Sequence, residues 1–148
     1  ADLSNAILLG ANLQSADLRG ADLSNANLEQ AKLRGANLQQ AKLSGAYLSG
    51  AHMGAADLSG ADMRDAQLYN ADLTEAFVGK ANLNNADLRQ AKLIRTDLSE
   101  SNLIRADMSR SNLSAATLIG ADLRLSLLNN AEFCNTTMPN GEVSYDDC

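Results

Sequence analysis

Two cysteines, one histidine and a scatter of carboxylates are the side chains of this 148-residue chain that first suggest chemistry. Cys134 and Cys148 bracket the C-terminal segment. Pairing them would close a loop of about 15 residues, worth up to roughly 3 kcal/mol on the chain-entropy argument. The alternatives are two free thiols or a metal site, and the second lacks a nearby His. The disulfide is the expectation, and it implies an oxidising compartment. His52 stands alone, and no Ser/His/Asp or Cys/His arrangement can be assembled around it. Acidic residues recur along the whole chain, but general acid–base carboxylates need a concave, partly desolvated pocket. The glycines are scattered rather than grouped ahead of a helix, so no phosphate-cradling loop is present. The expectation is a chain with no catalytic residue, no cofactor and no metal.

The elements that carry these residues follow from a repeat. Ala recurs at positions 1, 6, 11, 16 and every fifth residue up to 91, and a large apolar residue follows two places later. There are 27 such units from Ala1 to Asn135, none longer or shorter than five residues. The first slot is Ala in 23 of them, the exceptions being Thr96, Ser101, Ser111 and Ser126. The third is Leu in 22, with Met53, Met63, Val78, Met108 and Phe133 completing it. The methionines read as core filler.

A period of five suits neither regular structure. On an α-helix, five residues advance by about 500°, so successive Leu form no stripe. On a flat strand an odd period alternates faces. Within a unit, however, Ala and Leu are two apart and share a face when extended. A bend in the fourth and fifth slots restores that face at each unit. Nine of the ten Gly sit in those slots, with Asn and Ser in many others, and these residues tolerate turn and left-handed conformations. The chain must therefore coil as a solenoid with Leu inside, although this reasoning leaves the number of walls open.

The A(D/N)LXX pattern, as in Ala16-Asp17-Leu18-Arg19-Gly20 and Ala121-Asp122-Leu123-Arg124-Leu125, resembles the pentapeptide-repeat family over residues 1 to about 138. The resemblance implies an all-β fold: a right-handed, four-sided (quadrilateral) β-helix with twenty residues per coil. The units then give about seven coils and, at roughly 4.8 Å per coil, a rod about 33 Å long. Residues twenty apart would stack, predicting surface pairs Asp72–Lys92, Glu75–Arg95 and Lys80–Glu100, each worth about 0–1 kcal/mol. The second slot, mostly Asp or Asn, would point outward and bond to nearby backbone groups.

The expected division is a β-helix over 1–138 and a capping tail over 139–148. Pro139-Asn140-Gly141 signals a turn, and Met138, Val143 and Tyr145 are apolar enough to cover the open end, which a solenoid needs. Leu125 and Leu127 are expected to pack under that tail. The opposite end shows no cap: Leu3, Leu8 and Leu13 line it, and Ile7 and Leu9 are apolar where residues should face outward. Residues missing upstream or a partner stacked on this end would explain it, and a homodimer through the N-terminal end is one expectation. The chain starts in repeat phase at Ala1, as a processed N-terminus would. Tyr47, Tyr69, Phe77, Ile94, Ile104 and Ile119 also fall at nominally exposed positions.

No run of eighteen apolar residues exists, so no helix inserts into a membrane. A net charge of -6 argues against nucleic-acid binding. Two functions remain. One is a non-enzymatic scaffold whose rigid rod meets a protein partner. The other, implied by some relatives, is a DNA-mimic modulator of a type II topoisomerase. Residues 1–138 hold 15 acids and 12 bases, about one net charge per 11 Å against one per roughly 1.7 Å in DNA. That contrast favours the scaffold. The resemblance to cyanobacterial and chloroplast members, with the Cys-bracketed tail, implies export to the periplasm or thylakoid lumen. The inward assignment predicts that Leu68→Ala costs about 2–5 kcal/mol; an unchanged melting temperature would contradict it.

Overall fold

The first three residues of each unit are extended and the last two turn the chain. All 148 residues are described in the computed structural model, which contains no helix. In each of the 27 units the fifth residue has a positive φ, between 54° and 68°. The next N–H donates to the carbonyl of the third residue, as Ala6 does to Leu3 at 3.1 Å. A positive φ at the third turn position closed by that bond is the signature of a type II turn. The sequence suggested Gly, Asn and Ser for this corner. The structure places Glu75, Lys80, Arg95, Arg105, Arg110 and Leu125 there as well. A left-handed conformation costs such residues about 1–2 kcal/mol. From residue 5 to residue 120 the corner is locked from the next coil, as where the Asn5 N–H donates to the Ser24 carbonyl at 2.9 Å, whereas Leu125, Asn130 and Asn135 keep the left-handed corner with the turn bond alone.

Parallel bridges run from Asp2↔Asp22 to Thr117↔Thr137, and every one joins residues 20 apart. Four units therefore separate a residue from the one stacked on it, and the units sort into four columns. Column A begins with the units at 1, 21 and 41; column B at 6, 26 and 46; column C at 11, 31 and 51; column D at 16, 36 and 56. The second-slot N–H donates to the coil below (Asp22 to Ala1 O, 2.9 Å), and the third-slot N–H to the coil above (Leu3 to Asp22 O, 2.7 Å). With the corner bonds, four of the five N–H groups in a unit are satisfied by backbone.

The remaining N–H, in the fourth slot, is answered by a side chain. All 16 second-slot Asp and Asn residues accept it on Oδ1, at 2.9–3.3 Å. This is why the outward slot between two buried residues favours the shortest amide or carboxylate: it reaches back two residues without straining the strand.

The interior is one continuous cluster of Ala, Leu, Met and Val from Ala21 to Ala131. Leu3, Leu8, Leu13 and Leu18 at one end, and Leu123, Leu128, Phe133 and Met138 at the other, are only partly buried. The ladder continues past Asn135: Thr136 is fully buried, Thr137 bridges Thr117, and Gly120 donates to the Pro139 carbonyl at 3.1 Å. The chain then reverses at Gly141 (φ 84°), so that β1 (Thr136–Thr137) pairs antiparallel with β2 (Val143–Ser144).

The tail covers less than expected. Met138 packs against the core, but Val143 and Tyr145 are exposed. Leu125 and Leu127 remain exposed, at 71% and 50%. The reason is placement: β2 lies along column D, whereas Leu127 belongs to column B, two units away in either direction.

Where the first slot is not Ala, a buried hydroxyl needs an acceptor. Thr96 donates to Leu73 O (2.8 Å), Ser101 to Leu98 O (2.7 Å) and Thr136 to Leu113 O (2.7 Å). Ser111 Oγ is buried with no partner. Ser111→Ala, which restores the commonest residue of the slot, should stabilise the protein by about 1 kcal/mol. That corresponds to a rise of about 2–4 °C in a thermal melt, whereas a lower melting point would mean the hydroxyl has a partner.

Candidate functional site

The 20-residue register gathers apolar residues that are far apart in sequence. Ile7, Tyr47 and Leu127 occupy second slots of column B, and Leu9 and Tyr69 fourth slots of the same column. All five are exposed, Ile7 most of all at 85%. Tyr69 is held in place: its hydroxyl donates to Gln90 Oε1 at 3.0 Å, and the Arg89 guanidinium lies 5.8 Å from its ring centre. Between Leu9 and Tyr69 runs a shallow groove of about 280 Å³, floored by Ser49 and Gly50 and edged by Glu29. Phe77 and Ile119 are exposed on column D. Ile94 and Ile104, expected at the surface, are partly buried, because neighbouring units of the stack shelter their fourth-slot positions.

His52 is exposed in a groove of column C with Gln14, Lys32, Arg34, Gly54 and Asp72. No Ser, Thr, Cys or Tyr lines that groove. No group of three or more His, Cys, Asp and Glu converges anywhere as metal ligands would. Cys134 and Cys148 are joined by a disulfide, with Cα atoms 4.7 Å apart. The bond ties the chain end to the last unit of column C. At the other end the Leu3, Leu8, Leu13 and Leu18 layer has only one coil against it.

Two of the three stacked ion pairs form: Glu75–Arg95 at 3.1 Å and Lys80–Glu100 at 3.7 Å. Asp72 and Lys92 are stacked but make no ion pair, although Asp22 and Lys42 in the equivalent stacked position do, at 3.4 Å. A second kind of pair escaped the sequence reading. Wherever a unit reads Ala-Asp-Leu/Met-Arg, the Arg folds back on its own Asp: Arg19–Asp17, Arg64–Asp62, Arg89–Asp87 and Arg124–Asp122, at 2.6–2.7 Å. The motif was visible as Asp-x-Arg; the missing step was that extended backbone sets those residues on one outer face.

These contacts move the acids. The Arg19 side chain, helped by its backbone N–H, holds Asp17 down at about 2. Arg64, Arg89 and Arg124 likewise lower Asp62, Asp87 and Asp122, against some burial of the first two. A carboxyl whose pKa is depressed by folding stabilises the fold above its unfolded value, near 3.8. That contribution is lost as pH falls through the folded value. The melting temperature should therefore drop between pH 4 and about 2. Replacing Asp17, Asp62, Asp87 and Asp122 together by Asn keeps an Oδ1 acceptor but removes the charge, and should flatten that drop. An identical acid profile in the variant would refute the assignment.

The geometry agrees with comparisons to known proteins. A family model described as pentapeptide repeats matches in eight copies, over residues 1–40, 36–75, 81–118 and 106–140. No curated protein matches by sequence. Among solved structures, a pentapeptide repeat protein from the Arabidopsis thaliana thylakoid lumen is 38% identical, covering 67% of this chain and 69% of its own, with a TM-score of 0.66. HetL, a pentapeptide repeat protein involved in heterocyst differentiation regulation in the cyanobacterium Nostoc, is 26% identical over 97% of this chain and 89% of its own, with a TM-score of 0.55. A trypsin-treated form of QnrB1, a plasmid-mediated fluoroquinolone resistance protein, shares the fold at 21% identity, covering 99% of this chain and 75% of its own, with a TM-score of 0.82. From the five-residue register to these matches, the conclusion is that the chain belongs to the pentapeptide repeat family.

Proposed function

We propose that this protein is a non-enzymatic, rigid interaction scaffold: a right-handed, four-sided β-helix of about seven coils over residues 1–138, finished by a tail at 139–148. It presents column B to a protein partner. The observation that carries this reading is the alignment of Ile7, Leu9, Tyr47, Tyr69 and Leu127 on one side of the rod. Aromatic anchors on a rigid surface lose little entropy on docking, and exposed apolar residues grouped on one face mark interaction sites more often than scattered ones do. The filled interior supports a binding role over a catalytic one, since a solid rod offers no desolvated pocket.

An oxidising compartment, thylakoid lumen or periplasm, is part of the same proposal. The Cys134–Cys148 disulfide and the 38% identity to a thylakoid-lumen protein support it. We also propose that a second copy docks at the N-terminal coil, where Leu3, Leu8, Leu13 and Leu18 are only partly buried and Ile7 and Leu9 stand exposed. The alternative, a DNA-mimic modulator of a type II topoisomerase, has less support. Four of the acids are neutralised by their own Arg, and Lys42 interrupts column A between Asp22 and Asp62. The likeness to QnrB1, at 21% identity, extends to the fold.

Three measurements test these statements. The folded rod, used as bait in an extract of its own compartment, should retain a discrete partner that a Tyr47→Glu/Tyr69→Glu variant loses; equal recovery by both would overturn the column B assignment. Light scattering of residues 1–148 should give twice the chain mass, and a monomer would overturn the homodimer. In a gyrase supercoiling assay the protein should be inert, and inhibition at micromolar protein would favour the alternative.

A further inference from the structure

The rule that second-slot Asp or Asn answers the fourth-slot N–H has exceptions, and two of them are stacked on each other in a cationic setting. Lys32 and His52 stand one coil apart in column C and bridge directly. Neither has an oxygen to offer, so the N–H groups of Arg34 and Gly54 find no acceptor in the protein. The Gly35 N–H donates to the Gly54 carbonyl at 3.0 Å, which fixes Gly54 above the Arg34–Gly35 corner. Gly54 has no side chain to fill the notch between them: a Cβ there would sit 3.5 Å from the Thr74 carbonyl oxygen, which is already bonded by the Ala55 N–H, and 3.7 Å from Arg34 Nη1. The result is a groove of about 280 Å³ lined by Gln14, Lys32, Arg34, His52, Gly54 and Asp72. Lys32 and Arg34 make no ion pair, unlike most cations of this chain. Asp72, on the upper rim, has its Oδ1 engaged by the Thr74 N–H at 3.0 Å and stacks under Lys92.

We propose that this notch is an oxyanion-binding site, which takes a carboxylate or phosphate group where sixteen other units hold their own Asp or Asn oxygen. Two outward N–H groups on adjacent coils, spaced at about the strand separation of 4.8 Å, can donate to two oxygens of one group. Lys32 and Arg34 supply the charge, and charge-assisted bonds of this type are the stronger ones. Another stacked pair without Asp or Asn, Tyr47 and Gln67, is the internal contrast. It frees the N–H groups of Ser49 and Tyr69, but its groove is lined by Glu29 and by no cation. The inference is independent of which protein docks on column B.

The test uses the full chain, labelled with nitrogen-15 and titrated with inorganic phosphate and, separately, acetate at constant ionic strength. The Arg34 and Gly54 amide signals should move saturably with at least one of the two anions. Saturation by phosphate alone assigns a phosphate-bearing ligand, and saturation by acetate a carboxylate. His52→Asp supplies an intramolecular oxygen of the kind the fold already uses in sixteen units, so it should fold as the parent does. It should weaken binding by about tenfold or more, since it fills one donor and adds a negative charge. Non-saturating shifts, shifts of equal size at the unpaired Lys92, Arg105 and Arg110, or undiminished binding by the variant would mean an adventitious ion only and would overturn the site.

Discussion

One N–H in every five residues of this chain has no backbone partner, and the response to that donor shapes both the sequence and the surface. The other four are committed to the turn and to the coils above and below. A solenoid wound this tightly cannot satisfy the fourth-slot donor by further pairing, because both neighbouring coils are already engaged. A side-chain oxygen two residues back is the nearest remedy, and Asp or Asn supplies it at the right length. The acidic composition is therefore a consequence of backbone hydrogen bonding before it is a statement about partners. Where Asp or Asn is absent, the donor faces outward, and the character of the site depends on what surrounds it.

The interior follows a simpler constraint. Extended segments separated by turns bring two side chains inward per unit, and the space between four columns accepts a small and a large residue at each level. The 39-residue cluster from Ala21 to Ala131 is continuous because every coil repeats that choice. Each coil rests chiefly on its neighbours, so stability is close to a sum of adjacent interactions. The two ends, where Leu3 and Phe133 have a neighbour on one side only, carry the weakest packing. The disulfide secures the C-terminal end, while the first coil is held by its ladder bonds and by the partly buried Leu3, Leu8, Leu13 and Leu18.

Much of this was legible in the sequence. The inward positions of Leu68 and its equivalents, the corner in the fifth slot and the outward Asp and Asn follow from counting by five and from the bond geometry of an extended segment. The stacked pairs Glu75–Arg95 and Lys80–Glu100 needed only the twenty-residue coil. What resisted reading was which stacked pairs close. Asp22 accepts the Ser24 N–H on Oδ1 and meets the stacked Lys42 on Oδ2, whereas Asp72 accepts the Thr74 N–H and makes no ion pair with Lys92, so the register alone does not decide the pairing. The Asp-x-Arg forks are local pairs that the twenty-residue count does not bring to notice. The apolar column was hidden for another reason. Ile7, Tyr47 and Leu127 look unrelated until they are aligned by twenties, and counting by fives alone spreads them over the chain. The tail misled because apolar character in Val143 and Tyr145 carries no direction; the pairing of Thr136–Thr137 with Val143–Ser144 sets it.

The fixed twenty-residue spacing also constrains how such a surface can change through insertion and deletion. Gaining or losing one five-residue module leaves the interior intact, since any module fills the same space, yet shifts every downstream side chain to the adjacent column. Lys32 and His52 would part company if a single module were added between them, and so would Tyr47 and Leu127. Only changes by four modules preserve both the core and the exterior pattern. Unequal duplication in a gene of this type can thus compose a new exterior at little thermodynamic risk, and lineages that keep an old one should differ in length by whole coils.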